Sequence, residues 1–246
     1  MSIITKRMAL LAALLTPMLA ASPGLADMED DAIFTYFQAM VERRFHQGVD
    51  GWEWAARGWI GEDYNKLRFR SDGSIDDKGR LDNEGGYKGA EFQAAYSRLV
   101  GDFWDAKIGL RYSRFAHGRQ RVFLAAGFEG LAPHWFDVDA MVFFSIKGVA
   151  SARFDIDYEI LLAQQLVLTP FIELDASVGS DRRIGQAGVS GKGELGLRVR
   201  YEIVREFAPY IGLSYRRLVG KAAGIARGQG EDAGEVSLIS GLRVWF

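Results

Sequence analysis

The chain has 246 residues, a formal net charge of −2 from 30 basic and 32 acidic side chains, and no cysteine. A disulfide framework and a thiolate metal site are thereby excluded, and with no basic patch or nucleic-acid-binding motif no nucleic-acid partner is expected. Glycine at 29 residues and aromatics at 13% are high for a helical protein and suit a barrel with aromatic girdles.

Lys6 and Arg7 lead an apolar run from Met8 to Leu15, and Ala20, Ala21, Ser22 and Ala26 supply small-residue cleavage signals. This pattern reads as a secretory signal over 1–26, cut after Ala26, because the run is too short to span a membrane and Pro17 interrupts it. Its removal leaves the mature chain mildly acidic. A short acidic lead follows over 27–32, and the barrel is expected over 33–246. No later segment approaches the roughly 18 apolar residues of a membrane helix.

From Ile33 to Phe45 the pattern alternates loosely, with Phe37, Ala39 and Val41 on one face, and Trp52 to Ile60 alternates poorly. Tyr64 to Arg70 sets Leu67 and Phe69 against Lys66, Arg68 and Arg70, and a long polar loop is read over Ser71–Gly86. Further alternating runs start at Ala90, Trp104, Val122 and Phe136. Ala150 to Ser177 is the clearest stretch: Ala152, Phe154, Ile156 and Tyr158 alternate with Arg153, Asp155, Asp157 and Glu159. On a helix those apolar side chains would scatter around the axis, whereas on a strand they form one face. Leu168, Ile172, Leu174 and Ala176 then oppose Thr169, Glu173 and Asp175, with Pro170 suited to weak pairing because it lacks a donor. Alternation returns in Leu195–Ile203, Phe207–Arg216 and Val236–Phe246.

About twelve strands of about ten residues each predict an all-β, antiparallel up-and-down barrel that crosses the outer membrane. Short connections near Gly61–Asp63, Leu99–Asp102, Leu131–Trp135, Leu162–Gln165 and Val204–Glu206 alternate with long ones, Val178–Lys192 and Arg217–Glu235 among them. That is the periplasmic-turn and outer-loop asymmetry of such barrels. A secreted β-sandwich also alternates, but the strands are uniform in length. The last of them ends on Phe246, which resembles the assembly signal of outer-membrane barrels. The barrel is expected to sit in outer-membrane lipid as a monomer.

Several stretches resemble the copper resistance protein B family. Gly58-Trp59-Ile60-Gly61-Glu62-Asp63-Tyr64-Asn65-Lys66-Leu67 is similar to that family's W-x-G-x-D-x-N-K/R-L segment. Ala95–Leu99 with Phe103–Asp105, Gly130–Asp139, Leu197–Ile203 and Arg205–Gly212 are similar to family segments too, so the resemblance runs from about Asp30 to Phe246. It implies an outer-membrane barrel for copper tolerance, usually beside a periplasmic multicopper oxidase. Members often carry a Met- and His-rich lead suited to Cu(I); here Asp27–Asp31 holds only Met28. Metal contact is therefore expected to be weak and transient.

The candidate metal ligands are His46 and His117 in outer connections, and Met141 with Asp137 and Asp139 on one inward face. His134 lies in the opposite, short turn. Each has a plainer reading: a solvated surface histidine, a gap-filling methionine, or carboxylates balanced by the many inward arginines and lysines. Asp155, Asp157 and Asp175 form an acidic patch that suits a cation path. No catalytic residue is expected. A general small-solute channel or structural barrel is the alternative, and a lipid-modifying enzyme is disfavoured because no inward serine adjoins a histidine in sequence.

Overall fold

The structure is a computed structural model that describes residues 33–46, 49–76, 81, 89–114, 120–181, 186–228 and 232–246. The expected signal, the acidic lead and His117 lie outside them. The strands in chain order are β1 (Phe34–His46), β2 (Val49–Gly61), β3 (Asn65–Asp76), β4 (Ala90–Gly101), β5 (Trp104–Arg114) and β6 (Gln120–Ala132). Next come β7 (Phe136–Phe144), β8 (Ala150–Asp157), β9 (Ile160–Ala163), β10 (Leu166–Val178) and the small pair β11 (Ser180–Asp181) and β12 (Gln186–Ala187). The last are β13 (Ser190–Tyr201), β14 (Phe207–Gly220), the helix α1 (Lys221–Gly228) and β15 (Gly234–Trp245).

Each long strand pairs antiparallel with its neighbour in sequence, and β15 pairs back onto β1 to close the ring. Phe37 and Phe246 exchange backbone hydrogen bonds of 3.0 and 2.8 Å at that seam. Segments β8 and β9 act as one interrupted strand against β10, so the barrel has twelve strands, as the sequence predicts. The interruption at Tyr158–Glu159 has a cause. Tyr158 donates its N–H to the Pro170 carbonyl at 3.1 Å, but proline has no N–H to return, and the ladder lapses there.

The alternation sorts side chains by face. Along β5, Ile108 and Leu110 point outward and are 56% and 55% exposed, whereas Lys107 and Arg111 point inward and are each 6% exposed. The outer surface is thus apolar and the lumen charged, the reverse of a soluble protein and the pattern of a membrane barrel. Outward aromatics gather at both ends: Tyr64, Phe103, Trp135 and Phe246 at one, Trp52, Tyr112 and Phe144 at the other.

The connections 62–64, 102–103, 133–135, 164–165 and 202–206 all lie at the end that holds the seam's Phe246, with the longer 77–89, 179–189 and 221–233 at the opposite end. All three expected long loops are shorter than read, the one over Val178–Lys192 because β13 already starts at Ser190. Strand β3 continues to Asp76 because polar residues such as Asp72 and Ser74 face the lumen and stay in the ladder, and β14 continues to Gly220 because Leu218 and Val219 pair with Lys192 and Gly191 of β13.

Candidate lumen site

Register places carboxylates side by side. Asp105, Glu129, Asp139, Asp155, Glu173 and Glu194 are successive cross-strand partners from β5 round to β13. Like charges directly opposite one another are destabilising, so this acidic row needs cations, and most arrive from other strands. Arg68 on β3 bonds Asp105 and reaches Glu129 at 2.7 Å. Lys107 lies 2.9 Å from Glu129 and 2.6 Å from Asp139, and Arg70 lies 2.8 Å from Asp155. Glu194 is held by Arg44 at 2.8 Å and Arg216 at 2.9 Å. Such pairs fill a narrow barrel with a connected network.

One step toward the short-turn end, Asp137 on β7 faces Asp157 on β8 across the ladder. Among the described residues neither has a cationic partner within 4.0 Å. Both line a cavity of about 440 Å³ that reaches that end of the barrel, where Trp135 and Leu131 form part of its wall. Its lining carboxylates, Glu42, Glu53, Asp72, Asp137, Asp157, Glu159 and Glu173, outnumber its guanidiniums, Arg57, Arg70, Arg198, Arg200 and Arg243. The space therefore favours cations. At the mouth Arg200 grips Glu159 through two bonds of 2.6 and 2.8 Å, and Arg243 adds a third at 3.0 Å.

The sequence-derived candidates are not brought together. His46 ends β1 at the long-loop end, His134 is exposed in the short turn with a positive φ of 69°, and His117 is outside the described residues. Met141 does point inward, but it is 3% exposed and packs with Phe123, Ala125, Phe143 and Val149, filling the space beside Gly127. Its thioether does not line the cavity. Asp139 is neutralised by Lys107, with Arg70 at 3.5 Å. Of the predicted ligands whose side chains are described, only Asp137 reaches the cavity, and it does so beside Asp157. Met40, a second methionine, lines the cavity from β1; its place on one face with Gln38 and Glu42 was the signal available in the sequence. Among the described residues no three His, Asp or Glu side chains stand close enough to cage an ion. What the arrangement offers is loose, exchangeable oxygen contact.

Residues 34–246 match the family model described as copper resistance protein B precursor. The chain is 36% identical over 220 residues to the copper resistance protein B homolog of Pseudomonas syringae pv. tomato, covering 89% of this chain and 72% of that protein. It is 35% identical over 206 residues to the Escherichia coli copper resistance protein B, covering 84% and 67% respectively. Among solved structures it resembles the NanC porin, with a TM-score of 0.51 and 13% identity over 85% of this chain and 98% of that one. At that identity the likeness concerns the fold.

Proposed function

The chain belongs to the copper resistance protein B family, and we propose that it serves copper tolerance as an outer-membrane barrel whose lumen gives copper ions weak, exchangeable contacts. The apolar outer surface between two aromatic belts supports the location, since only lipid solvates such a surface. The observation that carries the reading is the Asp137–Asp157 pair: two facing carboxylates on the wall of a net-acidic cavity. Cu(II) is the strongest divalent binder at oxygen sites of this kind, though such sites are not selective by themselves. Met40 adds one soft donor in the same space, suited to Cu(I). Few ligands and a loose geometry make contact brief, as passage or hand-over of a cargo ion requires. In this orientation a periplasmic multicopper oxidase meets the barrel at its short-turn end.

Titration of the purified barrel with Cu(II), followed by electron paramagnetic resonance, tests this. The expected result is a weak oxygen-ligated signal that Asp137→Asn with Asp157→Asn abolishes. An unchanged signal in that double variant refutes the assignment.

A further inference from the structure

The half of the lumen nearer the long loops is packed shut. Arg44 of β1 lies 2.8 Å from Glu194 of β13 and 3.3 Å from Glu53 of β2. Arg216 of β14 completes a square, 2.8 Å from Glu53 and 2.9 Å from Glu194. The side chains of Arg44, Arg216 and Glu194 are 6%, 3% and 2% exposed, and Glu53, which also lines the cavity, is 20% exposed.

A second knot adjoins the first. Arg153 of β8 holds Glu91 of β4 at 2.8 Å and Asp175 of β10 at 2.9 Å, with Asp72 of β3 at 3.8 Å. Lys192 joins the two knots: it stands opposite Asp175 in register and 3.3 Å from Glu194. The remaining wall is closed by the buried rings of Phe123 and Phe143, whose centres lie 4.4 and 3.7 Å from the Arg111 guanidinium. Beyond this layer, α1 buries Ala222, Ala223 and Ala226 against the inward Leu218 of β14.

The contrast with the other half is sharp, because the 440 Å³ cavity lies on the short-turn side of these knots. We propose that the resting barrel is a cup: its cavity exchanges ions only through the short-turn end, and a septum of buried ion pairs bars passage to the long-loop end. Short turns face the periplasm in bacterial outer-membrane barrels, so the cup opens to the periplasm. A conducting pore needs a hydrated or ligand-lined path along its whole length, and charges locked to one another across the lumen remove that path.

The test is single-channel recording of the full barrel in planar lipid bilayers, in potassium chloride without copper. Wild-type protein is expected to insert without stable conductance steps. The charge-neutral set Arg44→Ala, Glu53→Ala, Glu194→Ala and Arg216→Ala is expected to produce them. Heat-modifiable gel migration checks that the variant has assembled. Should it fail to assemble, Glu53→Ala with Arg216→Ala removes one whole pair, leaves Arg44 on Glu194, and is expected to give brief openings. Steady steps from the wild-type barrel overturn the proposal, and so does silence from either variant once assembled.

Discussion

Arg70 of β3 and Asp155 of β8 are 85 residues apart in sequence and meet at 2.8 Å inside the lumen. The same guanidinium bonds Asp72 at 2.6 Å and lies 3.5 Å from Asp139. One cation thus answers three carboxylates on three strands. Arg70→Ala takes from Asp155 its nearest cation and leaves Asp139 to Lys107 and Asp72 to the more distant Arg153, and the expected cost is about 3–5 kcal/mol, the usual penalty for breaking a buried pair from one side. Replacing Arg70 and Asp155 together by apolar residues of similar volume is expected to recover part of it. Urea unfolding in lipid vesicles measures both, and a single variant as stable as wild type would contradict the network's role.

The outer surface makes a depth-dependent prediction. Leu110 is outward near the middle of β5, whereas Tyr112 lies closer to the strand's end. Leu110→Arg is expected to destabilise the barrel by about 2–4 kcal/mol and Tyr112→Arg by about 0–1 kcal/mol, following the bilayer's polarity profile. Equal costs measured by vesicle unfolding would mean that no hydrocarbon layer surrounds β5.

For Met141 the packing predicts a structural role. Met141→Leu nearly conserves volume and is expected to cost under about 1.5 kcal/mol. Met141→Ala leaves a void among Phe123, Phe143 and Val149 and is expected to cost about 2–5 kcal/mol. Copper tolerance of a strain carrying Met141→Leu should equal that of the wild type; a clear loss would return the thioether to the metal path.

Much of the fold was legible because a period of two has only one structural meaning over ten residues, and Phe154, Ile156, Asp155 and Asp157 state it plainly. The expected long loop at β3 was harder, since lumen-facing positions such as Asp72 and Ser74 look like loop residues when read singly. The site was legible only by face. That Asp137, Asp139 and Met141 point inward follows from alternation, but who stands beside them follows from register and closure. Register sets Asp137 against Asp157 and delivers Lys107 to Asp139, while closure carries Arg70 across to Asp155. Met141 read as a ligand because its neighbours in sequence are acidic, whereas its neighbours in space are Phe123 and Phe143. Met40 stayed hidden because β1 alternates weakly.

If the lumen carboxylates serve copper tolerance, growth under copper depends on them. A deletion strain complemented with the wild-type chain, or with Asp137→Asn and Asp157→Asn together, is challenged with rising copper, and outer-membrane assembly is checked in parallel. Neither aspartate has an ion-pair partner within 4.0 Å among the described residues, so the double variant is expected to assemble normally and to lose tolerance at copper levels that the wild type withstands. Full tolerance from an assembled double variant would contradict the account.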